Sequence, residues 1–432
     1  MSMASMAQDY DSVEKTGSTL EDFFSAAIEF SPTLKIAEEG LNIGSARRQA
    51  ANGRLLPQVS ARASVSDNRN QPQGQAEQRF DGERYSVQLT QALFNWQAFA
   101  ARSQAYLIED QLEAEYYGEL AILLTDVAER YFDVLQAKDA LDSIASELEA
   151  VSNQLDQIQS LYDRQLARIT DLYQVQASLA AVEAEQLQLQ VQLSLRREAL
   201  FSVSGLTAGE LSSLRENADI PPLENSINFW VNEAKKNSHQ IRAQKFAVSA
   251  ANKRIEERRG AYMPQVNLVL QRQNSNLGFE NLLINQTDIT YFGLDVSIPI
   301  YAGGSSRAGV SEATSQHRIA ESQLRQTQLD ASENVRSAYL QVQAAETLIQ
   351  AAEKLVESTT LSSTAMQRGF ELGAVTSVDV LNALRDQFRS ERDLQQVRYE
   401  HVKFILLLKR ETGLLTADDM LEVGGWLEAP VN

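Results

Sequence analysis

The sequence predicts an internally duplicated, mixed α/β chain in which each half carries two alternating strands and two very long helices. Three observations predict it. Neither Gly nor Pro occurs from Glu119 to Ser204 or from Val310 to Arg368, so each stretch reads as long helix rather than as small domains joined by turns. A pair of segments alternating apolar and polar at period 2 precedes each of these stretches. The whole arrangement is also written twice. With Ser31 aligned on Ser238, an offset of 207, "SPTLKIAEEGLNIGSARRQAANGRLLPQV" lies on "SHQIRAQKFAVSAANKRIEERRGAYMPQV". The offset becomes 208 further on, where Tyr131 meets Tyr339, Asp171 meets Asp379 and Gly205 meets Gly413. A repeat of this length is a duplicated half, not a solenoid unit.

The elements follow in order. "MSMASMAQDYDSVEKTGS" has no apolar core of the signal-peptide type and reads as a mature chain behind a cloning remnant, so it says nothing about compartment. Helices over Ser31–Gly53 and Ser238–Gly260 each start at a serine suited to the N-cap, with Pro32 at N1 in the first copy, and end near a glycine. Strands are expected over 56–70, 84–95, 264–276 and 289–301. Val59, Ala61, Ala63 and Val65 alternate with serines and Arg62 in the first; Tyr85, Val87, Leu89 and Leu93 alternate with Ser86, Gln88, Thr90 and Ala92 in the second. Val266, Leu268 and Leu270 face away from Asn267 and Gln271 in the third, with Val269 breaking the pattern; Phe292, Leu294, Val296, Ile298 and Ile300 alternate with polar or small residues in the fourth. "QPQGQAEQRFDGE" and "GFENLLINQTD" are expected as polar loops between paired strands. Aromatics gather at the strand ends: Phe94, Trp96, Tyr262 and Tyr301 at one, Phe80 and Phe279 towards the other.

Long helices are expected over Trp96–Leu166 and Gly304–Gly373, returning as Asp171–Gly205 and Val378–Gly413. From Leu141 the apolar residues Ile144, Leu148, Val151, Leu155, Ile158 and Tyr162 come in steps of 3 and 4, the 3.5-residue period of a left-handed coiled coil. After Asp171 there are two seams, Leu172–Val175–Leu179–Val182 and Ala180–Ala184–Leu187–Val191, so this helix packs between two neighbours. The domain plan is a first repeat over 19–224, a second over 225–414 and a tail over 415–432. A belt is expected from Leu206–Glu224 with Pro221 and Pro222, the "NFWVNEA" helix and the tail from Leu415.

Composition narrows the function. The 432 residues contain no cysteine, which excludes disulfides, thiolate metal sites and cysteine nucleophiles. A net charge of −19 argues against nucleic acid as a partner. No apolar run reaches the ~18–20 residues of a transmembrane helix. The strands, of about 10–13 residues, match the length of tilted membrane strands. On pattern alone they equally match a small soluble sheet with one solvated face. Two rods of about 65 residues, about 100 Å long at 1.5 Å per residue, sit oddly on such a sheet. Four strands cannot close a transmembrane barrel, which needs about eight, so membrane strands here require several chains to share one barrel. A soluble coiled-coil scaffold is the rival reading; it explains helices and acidity but not the matched strands.

The duplicated "LLPQV"/"YMPQV" strand starts, "YSVQLTQALFN" against "GLDVSIPIYAGG", and the breaks "QLARITDLYQVQA" and "FELGAVTSVDVLNAL" together resemble the TolC-type outer-membrane efflux channels, over about Thr19 to Leu414. "QLDQIQSLYDRQLARITDLYQ" is close to the best-known member. The resemblance implies a homotrimer in which four strands per chain build a 12-stranded β-barrel, continuous with a long periplasmic α-helical barrel. It implies a passive duct for drug efflux or type I secretion. Its partners would be a periplasmic adaptor, an inner-membrane efflux or ABC transporter, and outer-membrane lipid. Val87, Leu89, Leu268, Leu294 and Val296 would face that lipid.

The resemblance also implies an entrance at the hairpin turns. Asp379 falls on a family aspartate that forms a ring there; its ordinary alternative is a helix-start residue after Thr376 or Ser377, favoured by the helix dipole. Asn382 replaces a second ring aspartate, Phe370 a gating tyrosine and Val375 a gating arginine. Thr170 and Asp171 remain without those partners, leaving Arg168 or Arg368 to supply other contacts, and Gln165 stands where the family usually has glycine. No enzyme motif emerges, and no cofactor or metal is expected. His239, His317 and His401 are far apart and read as solvated helix residues; "AGGSSRAG" lacks the Walker spacing and lysine and reads as a strand-to-helix turn.

Overall fold

The computed structural model describes residues 16–71, 73–74, 76–215, 218, 220–278 and 281–428. In chain order the elements are β1 (Thr16–Gly17), α1 (Leu20–Phe30), α2 (Pro32–Gly53), β2 (Gln58–Asn70), β3 (Gln78–Phe94), α3 (Trp96–Asp163), α4 (Ile169–Ser204), β4 (Thr207–Ala208) and β5 (Ser213–Leu214). There follow α5 (Ile227–Asn237), α6 (His239–Arg259), a 3₁₀ turn, β6 (Gln265–Leu277), β7 (Leu283–Ser297), α7 (Ser305–Glu371), α8 (Ser377–Thr412), α9 (Ala417–Gly425) and β8 (Leu427–Glu428). Two compact units draw on chain from both sides of Glu224. One holds residues up to Ile36, Tyr117–Ser238 and from Leu329 on; the other holds Ala37–Tyr116 and His239–Gln328.

The second unit is built on one antiparallel sheet of order β2-β3-β6-β7. β3 and β7 each begin six residues earlier than expected, at Gln78 and Leu283, so the ends of both expected polar loops are strand. Polar side chains can tie one strand to the next, and here they do: Arg79 reaches Asp67 at 2.6 Å, and Asn274 donates to Asp288 at 3.2 Å. β7 ends at Ser297, not at Tyr301, because Gln265, the first residue of β6, already pairs with Ser297 and Pro299 has no N–H to extend a ladder. A bulge between Ala92 and Phe94 places Phe94, rather than Leu93, beside Val266. Val269 lies beside Thr90 and Gly293, on the face opposite Leu268 and Leu270. Gly293 leaves room on that face for the Tyr291 ring, since a Cβ there would meet its Cζ at 2.7 Å. Phe94, Trp96, Tyr262 and Tyr301 are exposed at one end of the sheet; Phe279, expected at the other, lies outside the described residues. α2 is tied to the start of α3 by Arg48 on Glu109 at 2.9 Å, and the Arg48 and Arg102 guanidiniums flank the Tyr106 ring.

The first unit is helical. Its α1 was not expected, although its signals are local. Leu20, Phe23, Phe24 and Ala27 recur at helical spacing and are all buried, and Thr19 and Asp22 form a capping box. Phe23 meets Tyr131 edge-on at 5.8 Å, and Tyr131, Phe132 and Tyr399 continue the cluster. The Tyr131 hydroxyl donates to the Ser212 carbonyl at 3.0 Å, and burial pushes its pKa up, so it remains a donor. α5 packs Val231 and Ala234 against Val335, Ala338, Val342, Ile405 and Leu408. β1 pairs in parallel with β4, and β5 antiparallel with β8. These short ladders pair backbone groups of segments that lie outside the helices. Residues 216, 217, 219 and 429–432 of the expected belt and tail lie outside the described residues. His401 departs from the expected solvated state. It is 4% exposed, beside Val402 and Ile405 on α8 and with its Nε2 3.9 Å from Glu346 of α7, on a face of α8 other than the one that turns Tyr399 to Asp139.

Candidate functional site

Two features bear on function, one in each unit. In the sheet, cross-strand pairing puts the five singled-out apolar residues on one face. Leu89 pairs with Leu270, Leu268 with Leu294, and Val266 with Val296, while Val87 lies two residues from Leu89. Directly paired residues share a face, and so do residues two apart on one strand. Val87, Leu294 and Val296 are more than half exposed, and Leu89 and Leu268 are half-buried. Along the same face the apolar stretch gives way to Arg272, Asn274 and Asp288, which the spacing of Val266, Leu268 and Leu270 alone did not reveal. The strand order leaves β2 and β7 at the edges, each with one side unpaired among the described residues.

In the helical unit, α3 and α4 are joined by residues 164–168, and α7 and α8 by residues 372–376. Both turns leave the first helix through a left-handed residue, Gln165 at φ 62° and Gly373 at φ 73°. The backbone bonds match: Gln165 N donates to the Tyr162 carbonyl and Leu166 N to that of Leu161, both at 2.8 Å, as Gly373 N does to Phe370 and Ala374 N to Gly369 at 2.9 and 2.8 Å. This is the Schellman pattern.

Asp379 occupies the third position of α8 in a capping box. Its Oδ2 accepts from the Thr376 hydroxyl at 2.7 Å and from Thr376 N at 2.9 Å, while Asp379 N donates to the Thr376 hydroxyl oxygen at 3.3 Å. The Thr376 side-chain bond, then its backbone bond, holds the Asp379 carboxyl below the usual carboxylate range. The helix-start role is therefore real, and it is shared by Asp22 and Asp419, which close identical boxes with Thr19 and Thr416. Asn382, Thr170, Arg168 and Arg368 are exposed. Asp171 is half-buried, with the Thr170 hydroxyl at 3.5 Å from its Oδ1. Phe370 packs on the apolar cluster of Ile144, Val151, Ile158, Leu172, Val175, Val182 and Leu381, and so joins the two hairpins. Val375 lies beside Gly369, where an added Cβ would meet it at 3.2 Å. Among the described residues neither Arg168 nor Arg368 takes part in an ion pair. The buried stripe of α3 also differs from the expected seam. Its fully buried members are Ile144, Glu147, Val151, Gln154 and Ile158, whereas Leu148 and Leu155 are only half-buried. The steps of 3 and 4 that link these positions would have found them had polar residues been counted.

No helix among the described residues is long and apolar enough to cross a membrane, and no group of His, Asp or Glu among them could hold a metal ion. The family described as outer membrane efflux protein matches residues 24–206 and 230–404. Outer membrane protein TolC of Vibrio cholerae is 24% identical over 413 residues, covering 95% of this chain and 94% of TolC. The alkaline protease secretion protein AprF of Pseudomonas aeruginosa is 22% identical over 417 residues, covering 93% and 85%. Among solved structures the transmembrane channel CusC superposes with a TM-score of 0.81 at 17% identity, covering 93% of this chain and 95% of CusC. These findings set aside the soluble scaffold reading and any enzyme activity. The chain belongs to the outer membrane efflux protein family, and is an outer-membrane protein of efflux and secretion channels.

Proposed function

We propose that three copies of this chain form one passive channel, each contributing its four strands to a shared 12-stranded barrel and its helices to a periplasmic α-helical barrel. The observation that carries this is the open sheet: β2 and β7 end it with unpaired edges, and one face exposes Val59, Val87, Phe292, Leu294 and Val296. Unpaired edges with an apolar face have no place in lipid unless another strand closes them. Joining β2 of one copy to β7 of the next removes every edge. The second seam of α4, exposed within one chain at Leu187 and Val191, then packs on a neighbouring copy. In this reading the chain is a duplicated subunit with repeats over 19–224 and 225–414. Val87, Leu89, Leu268, Leu294 and Val296 contact lipid, and Arg272 and Asp288 meet its polar boundary. The hairpin turns form the periplasmic entrance, where Asp379 from three copies makes an anionic ring with Asn382 as a neutral neighbour. A periplasmic adaptor and an inner-membrane transporter dock on the helical part, as the likeness to a protease secretion protein supports.

The test is the mass of the detergent-solubilised protein together with folding yield. A complex of three chains is expected. Leu89→Arg should cost about 2–4 kcal/mol if it sits near the bilayer midplane, and Thr90→Arg on the opposite face much less. A monodisperse monomer in plain buffer, or equal tolerance of both arginines, overturns the barrel.

A further inference from the structure

The four strands of the sheet sort their charges by face. They contain five arginines and no lysine: Arg62 and Arg69 on β2, Arg79 and Arg84 on β3, and Arg272 on β6. Arg272 stands two residues from Leu270, Arg79 ten from Leu89, and Arg69 pairs with Arg79, so these three share the apolar face. Each of the three has a carboxylate in ion-pair range: Glu77 for Arg69, Asp67 for Arg79 and Asp288 for Arg272. Arg62 and Arg84 fall on the opposite face. Arg62 shares a cross-strand row with Ser86, Gln273 and Ile289, and Arg84 shares the next row with Ser64, Ser275 and Thr287. Neither takes part in an ion pair among the described residues.

The acids follow the other three arginines. Asp67, Asp81, Glu83 and Asp288 alternate onto the apolar face, and among the strand residues the opposite face carries only Asp295. Asp295 lies six residues along β7 from Ile289, about 20 Å at the rise of a strand, and so is remote from the row of Arg62 on this sheet. Arg62 and Arg84 are diagonal neighbours on adjacent strands, about 7–8 Å apart at Cα, a span that long side chains bridge. Arg62 is exposed; Arg84 is half-buried, with its Nε 3.5 Å from Ser275 Oγ and its Nη2 3.4 Å from the Leu277 carbonyl oxygen. Two guanidiniums thus stand side by side without a counter-charge, in a chain whose net charge is −19. Their planar forks match carboxylate and phosphate oxygens, and an oxyanion between them would relieve their mutual repulsion.

We propose that Arg62 and Arg84 form an oxyanion-binding girdle, six guanidiniums from three copies, that holds solutes bearing several carboxylate or phosphate groups as they pass. Rings of arginine are one way in which a pore attracts anions. The girdle rests on the proposed barrel: with the apolar face towards lipid, the face of Arg62 and Arg84 lines the lumen. The duct then carries two sites of opposite sign, carboxylates at the hairpin turns and guanidiniums in the barrel.

The experiment is single-channel recording of the full-length protein in planar bilayers, with citrate and inorganic pyrophosphate titrated separately at fixed ionic strength. The proteins are the parent, R62Q, R84Q, R62Q/R84Q and R69Q, and the mass of each is measured in detergent. Expected is a reduction of the parent's current by one or both anions. The half-blocking concentration should rise several-fold in R62Q and in R84Q, and about tenfold or more in the double variant. R69Q removes the same charge from the apolar face and should keep the parent's block. R62Q and R84Q carry the test where the double variant does not assemble. A three-chain channel that neither anion blocks, or whose block survives in the arginine-to-glutamine variants of the girdle, overturns the girdle and leaves the barrel standing. Equal loss of block in R69Q overturns it as well, by reducing the effect to net charge. A parent that is not a complex of three chains, or that carries no current, overturns the barrel and the girdle with it.

Discussion

The turns that close the two helical hairpins have one backbone and different side chains. Each spans five residues, each exits through a left-handed position, and each re-enters a helix from an extended N-cap, Arg168 at φ −86° and Thr376 at φ −87°. At the second turn that backbone is filled as its geometry asks, with glycine at the left-handed position and a reciprocal threonine–aspartate cap. At the first, glutamine takes the left-handed position and Arg168 makes no side-chain cap. Reversing two packed helices requires the backbone; which turn also carries an ordered carboxylate is a separate choice. The difference puts a capped carboxylate in the second turn and leaves the first without a side-chain cap.

The largest expected effect is on conduction. A trivalent cation titrated from the entrance side should block the parent channel, and Asp379→Ala should lose nearly all of that block while Asp171→Ala keeps most of it. Asn382→Asp, by adding a second ring, should strengthen it. Equal loss from the two alanine variants would erase the distinction between the turns. The pH dependence has a definite sign. Thr376 lowers the folded-state pKa of Asp379, so the cap's contribution is complete above the unfolded carboxylate pKa. It declines as pH falls below that value and is gone once pH is below the lowered one, so protection of the first turn of α8 should begin to fall within the ordinary carboxylate range and be lost beneath it.

A smaller effect is expected in the caps. Thr376→Ala should cost about 1 kcal/mol locally, read as faster hydrogen exchange in the first turn of α8, whereas Arg168→Ala should change α4 by no more than a few tenths. Arg168→Thr would write the same box onto the first turn, since Asp171 already stands three residues on, and should slow exchange in α4. No gain there would mean that Asp171 is held elsewhere.

The smallest effect is in the left-handed residue. Gln165→Gly should gain about 0.5–1 kcal/mol by relieving its positive φ, and Gly373→Gln should lose about as much. Denaturant midpoints of the assembled protein compare the two.

What could be read in advance follows the range of the interactions involved. The long helices, the four strands and both turns were legible because their signals are local: a missing Gly or Pro, a period of 2 or 3.5, an N-cap serine or threonine. α1 and α9 carry signals just as local, Thr19 with Asp22 and Thr416 with Asp419 ahead of apolar residues, and were not expected. The early starts of β3 and β7 were hidden because Gln78–Glu83 and Leu283–Asp288 lack the alternation of apolar and polar residues, and their strand state is decided by partners across the sheet.

The sequence by itself determined the long helices, the central parts of the four strands, and that Asp379 follows a capping threonine, since neighbours along the chain settle such matters. Only the tertiary structure decided that Glu147 rather than Leu148 lies on the fully buried stripe of α3, that a bulge sets Phe94 beside Val266, and that Arg392 meets Glu147. Those outcomes depend on which face of one element meets another far away in sequence. A helix with apolar residues on several faces, or a strand with one residue to spare, is compatible with more than one such meeting until packing selects it.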